Sequence, residues 1–293
     1  IYLVYALLIA LFFKGLTTNK KSYFLPLFIL LILHFLYPYY ISEDYIKILD
    51  VSQGDSTLIH IANKTVLIDS GGTITYKNKS PSLVTDNVTI PTLKSLGIRK
   101  IDYLITTHGD YDHMGEASNI VNNIKVENVI FNCGSYNNLE KSLIKNLKGK
   151  NISYYSCIKE LNLSSYKLQF LNTRVYDNEN DNSNVIYLKY NNYKFLFMGD
   201  AGIDKEKDIL EKYDLKDIDV LKVGHHGSNT SSSKAFIDRI NPKYSVISVG
   251  KNNRYGHPNR EVLNNLANTK IYRTDKDGSI EITLNKNSYN IKN

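Results

Sequence analysis

A ligand-rich segment, residues 107–115, constrains the fold of this chain more than any feature of its composition. Its sequence, Thr-His-Gly-Asp-Tyr-Asp-His-Met-Gly, places two imidazoles and two carboxylates within six residues. The preceding residues, 101–106, are mainly apolar, β-branched and aromatic, which predicts a strand buried on both faces. Burying four such side chains together is costly unless a cation draws them together, and a divalent metal is the simplest cation. We therefore expect a metal site at the C-terminal end of this strand, with a solvated polar loop as the alternative.

Apolar runs that end in Asp or His occur at three other places. They end at Asp69, at Asp200 and at the pair His225 and His226. Such repetition favours one shared site over coincidence. Of the adjacent imidazoles, we expect His225 to bind metal and His226 to contact a phosphate or to protonate a leaving oxygen.

A family resemblance rests on three motifs. Residues 108–113 resemble the His-x-His-x-Asp-His signature of the metallo-β-lactamase superfamily, with Asp110 in place of the second His. This His-x-Asp-x-Asp-His variant is similar to the C-terminal domain of the ComEC family of DNA-uptake channels, as are residues 50–56 (Asp-Val-Ser-Gln-Gly-Asp-Ser) and 256–258 (Gly-His-Pro). The resemblance extends from about residue 46 to about residue 284. It implies an α/β fold, the αββα metallo-β-lactamase sandwich.

The resemblance, together with the spacing of the motifs, also gives a role to each candidate residue. The expected metal ligands are His108, Asp110, Asp112, His113, Asp200 and His225. The expected catalytic residues are Asp112, His226 and His257. The expected supporting residues are Gln53, Asp55, Asp69 and Ser183, and the expected substrate contacts are Ser228, Lys222 and His257. Two divalent ions are implied, Mn²⁺ or Zn²⁺, because carboxylates suit manganese and imidazoles suit zinc.

Two departures from the superfamily pattern affect the expected chemistry. Asp110 makes the metal site richer in oxygen ligands than a β-lactamase site, which weakens any expectation of antibiotic hydrolysis. Residues 177–184 are Asp-Asn-Glu-Asn-Asp-Asn-Ser-Asn, so they lack the third His that many superfamily members supply from this segment. That lack keeps a non-catalytic role open.

The first 41 residues have a different character from the rest. Two apolar runs, residues 1–13 and 23–41, predict one truncated and one complete transmembrane segment, since about 20 residues cross a bilayer. Three lysines separate them and two acidic residues follow, which by the positive-inside tendency places residues 42–293 on the extracytoplasmic side of a multi-pass cell-membrane protein. A buried core helix or an uncleaved signal peptide is the alternative.

The net charge of +7 includes those three lysines, so the remainder is only mildly basic and is not by itself a nucleic-acid footprint. The two cysteines, Cys133 and Cys157, each follow a strand-like run. We expect two unpaired, partly buried thiols, with a disulfide as the alternative in an oxidising compartment.

Three local predictions complete the sequence reading. Residues 114–124 are expected to form one helix after the ligand loop, and residues 274–279 a hairpin turn before the last strand. Residues 72–87 are expected to form a polar loop.

The resemblance implies a metal-dependent phosphodiesterase or nuclease domain that degrades the DNA strand not imported. Its implied partners are single-stranded DNA, the membrane and other competence proteins. A metallo-hydrolase of another phosphodiester or ester, and a non-catalytic DNA-binding part of the channel, are the alternatives, because the fold alone does not choose among them.

Overall fold

The computed structural model describes residues 2–40, 43–72 and 84–293. It divides into two units, residues 1–42 and residues 43–293. The first unit contains helix α1 (Tyr2–Thr18), a 3₁₀ turn (Lys21–Tyr23) and helix α2 (Phe24–Tyr40). The ring of Phe12 packs edge-on against that of Phe24, with the ring centroids 6.4 Å apart.

Helices α1 and α2 have 17 residues each, and no helix in the described part of the chain is long and apolar enough to cross a membrane. The expected complete span over residues 23–41 is therefore not supported, and its last residue lies outside the described residues.

The second unit is built on two β-sheets. The strands of the first sheet are β1 (Asp44–Ile48), β2 (Thr57–Ile61), β3 (Lys64–Ile68), β4 (Lys100–Ile105), β5 (Lys125–Phe131), β6 (Ser153–Ser156), β14 (Ile280–Asn285) and β15 (Ser288–Lys292). Their spatial order is β15-β14-β1-β2-β3-β4-β5-β6, with parallel pairing from β3 to β6 and antiparallel pairing elsewhere.

The second sheet has seven strands. They are β7 (Glu160–Leu163), β8 (Tyr166–Phe170), β9 (Ile186–Tyr190), β10 (Tyr193–Phe197), β11 (Val220–Lys222), β12 (Tyr244–Ile247) and β13 (Lys270–Arg273). Their order is β13-β12-β11-β10-β9-β8-β7, and β10 to β13 are parallel.

Helices cover the outer face of each sheet. The helices are α3 (Ile90–Ser95), which follows a π-helical turn (Thr85–Thr89), α4 (Tyr111–Met114), α5 (Ala117–Asn123), α6 (Asn138–Gly149), α7 (Ile203–Lys212), α8 (Lys234–Ile240), α9 (Arg260–Asn265) and α10 (Thr274–Asp277). Helix α6 begins with a reciprocal cap, in which Asn137 accepts from the Glu140 amide and Glu140 accepts from the Asn137 amide.

Three buried apolar clusters define the layers. One lies between the sheets and includes Ile105 and Phe195. A second joins the first sheet to α3, α5 and α6, and a third joins the second sheet to α7, α8 and α9. Strand β4 shows the alternation that produces this, because Leu104 faces the helices while Ile105 faces the other sheet. The expected αββα sandwich is confirmed, and β4 is buried on both faces as predicted.

Two local predictions were wrong. Residues 274–279 do not form a hairpin, because β13 belongs to the second sheet and β14 to the first, so the short helix α10 connects the two sheets. Residues 114–124 form parts of two helices, α4 and α5, which separate where the Glu116 carboxylate accepts hydrogen bonds from the amide and hydroxyl of Thr85. The predicted loop at 72–87 falls largely on residues 73–83, which lie outside the described residues.

The expectation of unpaired thiols was also wrong, because Cys133 and Cys157 form a disulfide. The parallel pairing of β5 with β6 brings the ends of these strands together, and the two Cα atoms lie 4.3 Å apart. The disulfide therefore joins the segments that follow β5 and β6, at the same edge of the sheet at which the ligand-rich loop follows β4.

Candidate metal centre

The candidate site lies where β3 and β4 of the first sheet and β10 and β11 of the second sheet end. Asp69 follows β3, residues 107–113 follow β4, Asp200 follows β10, and His225 and His226 follow β11. Because the carboxyl ends of parallel strands meet at one edge of a sheet, loops that are far apart in sequence converge here. The topology thus turns four separate strand ends into one site.

Asp69 organises the first part of this site from beneath. Its backbone is in the left-handed region (φ 60°), and its buried carboxylate accepts from the Thr107 amide and hydroxyl, both at 2.7 Å. The same carboxylate lies 2.8 Å from His113 Nδ1. This hydrogen bond holds the proton on Nδ1, so His113 presents Nε2 towards the centre of the site.

His108 is held by two hydroxyl groups. Its Nδ1 lies 3.1 Å from Thr107 Oγ1 and 3.3 Å from Ser183 Oγ. The Ser183 hydroxyl also accepts from the Asp200 amide at 3.0 Å, so one serine positions an imidazole of the first sheet and a carboxylate of the second. A side chain at Gly199 would meet both Ser183 and Thr107 at 3.0 Å, so only glycine fits between these supports.

Potential metal-donor atoms converge in front of these supports. Single donor atoms of His108, His113 and Asp200 lie within 4.8 Å of one another, as do those of Asp112, His113 and His226. His113 Nε2 is 3.0 Å from Asp200 Oδ1, and His226 Nε2 is 3.3 Å from Asp112 Oδ2. His113 belongs to both groups and lies between them.

Several of these donors are buried without a hydrogen-bond partner among the described residues. They are Nε2 of His108, Nε2 of His113, Nε2 of His226 and Oδ1 of Asp200. Leaving a buried polar atom unpaired costs about 1–3 kcal/mol, more when the group is charged. His108, His113 and Asp200 form one group of close donors, and His226 belongs to the group that it forms with Asp112 and His113. The chemistry and spacing of these side chains therefore fit bound cations.

The charges of the site act strongly on one another. Burial alone would raise the pKa of Asp200, but the imidazoles of His113 and His226 hold it well below its usual value. Burial alone would lower the pKa of His113, but the carboxylates of Asp200 and Asp69 raise it well above its usual value. Burial likewise opposes ionisation of Asp112, yet the nearby imidazoles of His226 and His113 lower its pKa to about 2. The carboxylates are therefore ionised at neutral pH.

The two adjacent histidines occupy a tight 3₁₀ turn, Gly224–Gly227. Both are in the left-handed region, with φ values of 46° and 52°, a conformation that costs non-glycine residues about 1–3 kcal/mol and is retained mainly at functional sites. His226 turns inward, and its Nδ1 donates to the Ser248 carbonyl at 3.0 Å. His225 remains one-quarter exposed, with Nδ1 3.0 Å from Thr230 Oγ1 and Nε2 3.6 Å from Asp200 Oδ2. We expected His225 to bind the metal, but the groups of close donor atoms described above contain His226 instead.

Asp110 is less enclosed than the other candidate ligands. Its side chain is 49% exposed, and Oδ2 lies 3.5 Å from His108 Nε2. The adjacent Gly109 amide donates to Glu179 Oε1 at 2.8 Å, so the segment that lacks the third His nevertheless fixes this loop. Neither Glu179 nor Thr107 was identified from the sequence. Thr107 could have been noticed, because it is the last residue before His108.

Three predicted residues make contacts other than those expected. The ammonium of Lys222, expected to contact substrate, is buried and binds Asp55 Oδ2 at 2.7 Å. Gln53, expected to support the ligands, accepts instead from the Gly250 amide at 3.2 Å. The Ser228 hydroxyl lies 3.0 Å from Thr230 Oγ1, so Ser228 supports the threonine that contacts His225. The other oxygen of Asp55 lies 3.8 Å from His226 Nδ1.

His257 stands at the edge of the site. Its ring centroid is 5.9 Å from that of His225, and its Nδ1 is buried without a hydrogen-bond partner among the described residues. Burial and the nearby imidazoles of His226 and His225 lower the pKa of His257 to about 4. His257 is therefore neutral at physiological pH and can donate or accept a hydrogen bond.

The fold and this set of donors define a class of protein. The family model of the metallo-beta-lactamase superfamily matches residues 49–251, and the chain belongs to that superfamily. Two solved structures share the fold: a CmlA beta-hydroxylase variant (TM-score 0.52, 13% identity, 83% of this chain and 54% of that chain) and the metallo-beta-lactamase fold protein YhfI from Bacillus subtilis (TM-score 0.50, 9% identity, 82% of this chain and 100% of that chain).

The curated relatives are more specific than the fold. ComE operon protein 3 of Bacillus subtilis is 32% identical over 84% of this chain and 34% of its own length. Competence protein ComA of Neisseria gonorrhoeae is 28% identical over 84% of this chain and 33% of its own length. Recombination protein 2 of Haemophilus influenzae is 29% identical over 80% of this chain and 28% of its own length. The chain thus resembles the ComEC family, as the motifs predicted, and spans about a third of the length of these relatives.

Proposed function

We propose that this chain is a metal-dependent phosphodiesterase that cleaves DNA, as part of a competence DNA-uptake machinery. The observation that carries the proposal is the set of four buried, unpaired donor atoms at the strand ends, whose side chains belong to overlapping groups of close donors. A cleft of about 510 Å³ opens beside Asp200 and His225, which gives a substrate access to these donors. The relatives named for competence and recombination support DNA as the substrate.

The donor set suits two divalent ions, manganese or zinc. His108, His113 and Asp200 would hold one ion, and Asp112 and His226 would hold the other, with Asp200 reaching both. When bound, such ions lower the pKa of water and offset the charge that develops on a phosphoryl group. Asp110 can add an oxygen ligand at the exposed side, and His225 can contribute from its position 3.6 Å from Asp200.

The other residues of the site act on these ligands or on the substrate. Asp69 and Thr107 fix the orientation of His113 and His108, so that their Nε2 atoms are aligned before any metal arrives. Asp112 remains ionised and partly exposed, which suits a group that orients an attacking water. His257, at the rim, is placed to hydrogen-bond a phosphate oxygen or the leaving oxygen.

We also place this domain outside the cytoplasm. Disulfides persist in oxidising compartments and are rare in reducing ones, and Cys133 is joined to Cys157. In such a location the domain would meet incoming DNA, and the degraded strand would be the one that is not imported.

The direct test is cleavage of end-labelled single-stranded DNA by the full chain, stripped of metal and then supplied with manganese, zinc or magnesium. We expect metal-dependent cleavage that Asp200→Ala abolishes. Asp238→Ala is the matched control, because it removes an exposed carboxylate whose ion-pair partner among the described residues is Lys234. The metal content of each protein is measured alongside.

Three outcomes separate the candidate functions. Absence of cleavage with every metal, in a folded protein that binds metal and DNA, would favour a non-catalytic binding role. Cleavage of small chromogenic phosphodiesters but not of DNA would favour another ester substrate. Cleavage that persists in purified Asp200→Ala would contradict the proposed site.

A further inference from the structure

Exposed aromatic side chains are uncommon on the described surface of residues 43–293. The large apolar or aromatic side chains that are most exposed there are Leu96, Tyr111, Tyr155, Val175 and Tyr255. Two of these five belong to loops of the candidate metal centre. Tyr111 lies between Asp110 and Asp112, and Tyr255 lies two residues before His257.

Tyr255 is connected to the centre through a series of rings. Its side chain is 53% exposed, and its ring lies nearly parallel to that of His257, at 24° and 5.7 Å between centroids. The His257 ring is in turn 5.9 Å from that of His225, whose Nε2 is 3.6 Å from Asp200. A flat group on Tyr255 would therefore lie beside a phosphate that occupies the metal centre.

Arg254 adds a planar cation to the same surface. Its guanidinium carbon is 5.2 Å from the Tyr255 ring centroid, and Nη2 donates to the Tyr255 hydroxyl at 3.3 Å. Nucleobases stack on tyrosine rings and on guanidinium planes alike. Both Arg254 and Tyr255 are exposed, so the pair presents planar groups to a base.

Tyr111 provides a second ring, within the ligand sequence itself, between Asp110 and Asp112. Its ring rests on bare glycine backbone, because a Cβ at Gly72 would lie 3.1 Å from it and a Cβ at Gly115 would lie 2.7 Å from it. This support leaves 37% of the side chain exposed next to Asp112. Two exposed aromatic rings thus belong to the two loops that hold Asp112 and His257.

Charge explains why such rings would be needed. The buried carboxylates of Asp55, Asp69 and Asp200 surround the centre, and the one buried ammonium that faces them in the described structure, Lys222, is engaged by Asp55. Apart from the guanidinium of Arg254, the phosphate backbone therefore gains little attraction from lysine or arginine side chains at the centre. Stacking needs no charge, and it contributes about 1–3 kcal/mol for each base.

We propose that Tyr255, assisted by Arg254, and Tyr111 each stack an unpaired nucleobase next to the phosphate that meets the metal centre, and so select single-stranded DNA. This inference rests on the proposed function for the position of the phosphate. In a duplex the bases are stacked on one another, so the two tyrosines can engage a strand only where its bases are free.

The test measures the affinity of the full, metal-loaded chain for a short fluorescein-labelled strand with phosphorothioate linkages, by anisotropy. We expect Tyr255→Ala to weaken binding about tenfold and Tyr255→Phe to weaken it less than about twofold, because the ring and not the hydroxyl does the stacking. Tyr111→Ala should act in the same direction. Tyr155→Ala is the matched control, since Tyr155 is equally exposed (52%) but lies on β6, away from the site loops.

A strand of the same length without bases distinguishes stacking from backbone binding. Wild-type protein should bind it more weakly than the normal strand, by about tenfold for each stacked base, and the difference between the two strands should be smaller for Tyr255→Ala. The slope of affinity against salt concentration should be the same for Tyr255→Ala and wild type, because stacking releases no counterions. Thermal unfolding of each variant checks that the loop substitution leaves the fold intact.

The outcomes for stacking and for catalysis differ. Equal affinity of wild type and Tyr255→Ala, equal affinity of wild type for normal and base-free strands, or duplex binding as tight as single-strand binding would each overturn the stacking proposal. Failure of wild type to bind any strand would overturn it as well. Tyr255-dependent binding without cleavage would leave stacking in place and refute only the phosphodiesterase activity.

Discussion

The buried ion pair between Lys222 and Asp55 gives the sharpest stability prediction. Lys222 ends β11 in the second sheet, and Asp55 lies in the loop that precedes β2 in the first sheet. The ammonium lies 2.7 Å from Asp55 Oδ2 and 3.1 Å from the Val223 carbonyl, and both side chains are buried. The pair therefore joins the two sheets directly behind the candidate metal centre.

Lys222→Met keeps the length of the side chain but removes its charge. The variant leaves the Asp55 carboxylate buried without its cation, and removing one partner of such a pair costs about 3–5 kcal/mol of unfolding free energy. Burial alone raises the pKa of Asp55, and in the wild type Lys222 and His226 lower it below its usual value. Its ionised form therefore stabilises the wild-type fold above its usual pKa, and this stabilisation is lost as the pH falls through the lower, folded pKa.

The assay is urea unfolding of metal-stripped protein, at neutral pH and again in acid. The loss of unfolding free energy in Lys222→Met, relative to wild type, should be largest at neutral pH. It should become smaller in acid, because a protonated Asp55 needs no cation. Adding Asp55→Asn to the variant should restore about 2 kcal/mol, since the isolated charge is removed. Lys251→Met, at an exposed lysine, should change stability by less than about 0.5 kcal/mol. The reasoning is refuted if Lys222→Met loses no more than this control, or if the double variant is no more stable than Lys222→Met.

Three further predictions concern other parts of the domain. Asp69→Asn should weaken metal affinity about 10- to 100-fold, measured by competition with a chelating dye, because His113 loses the carboxylate that orients it; metal affinity equal to that of wild type would contradict this role. Burial raises the pKa of Glu206 to about 7. The free energy of unfolding should therefore fall by up to about 3 kcal/mol at this group as the pH rises from about 4.5 to 7. Glu206→Gln should reduce this pH dependence, measured by urea unfolding across the same range. Replacing Cys133 and Cys157 by Ser should lower the unfolding free energy by about 3 kcal/mol, as the bond closes a loop with a sequence separation of 24, and an unchanged urea midpoint would argue against a formed disulfide.

The general position of the candidate site could be predicted because it depends on strand ends. Apolar runs that terminate in Asp or His are visible in the sequence, and a parallel sheet brings such ends to one edge. His108, His113 and Asp200 were expected together for this reason, and the structure places their donor atoms within 4.8 Å. The sandwich itself followed from the family resemblance and from the regular alternation of strands and helices.

What the sequence could not show depends on long-range contacts and on local backbone conformation. The partner of Lys222 lies 167 residues away, so a lysine expected to face substrate phosphates proved to be buried. The choice between His225 and His226 is decided by two successive left-handed residues, which turn the second imidazole inward. The crossing from β13 to β14 was mistaken for a hairpin because the local sequence contains turn residues but does not reveal which sheet each strand joins.

The balance of charge at the site links metal to substrate. Asp69 and Asp200 both contact His113, and Asp112 contacts His226. The imidazoles that lower the pKa values of Asp112 and Asp200 are themselves candidate ligands. When those imidazoles bind metal they must be neutral, so the positive charge that an anionic strand meets comes from the ions and not from His113 or His226. Metal should therefore raise the affinity for DNA, and DNA should raise the affinity for metal by the same factor, because the two equilibria share one coupling free energy. A tyrosine that stacks a base adds affinity independently of that coupling, which is why Tyr255 and the metal ligands are expected to make separable contributions to binding.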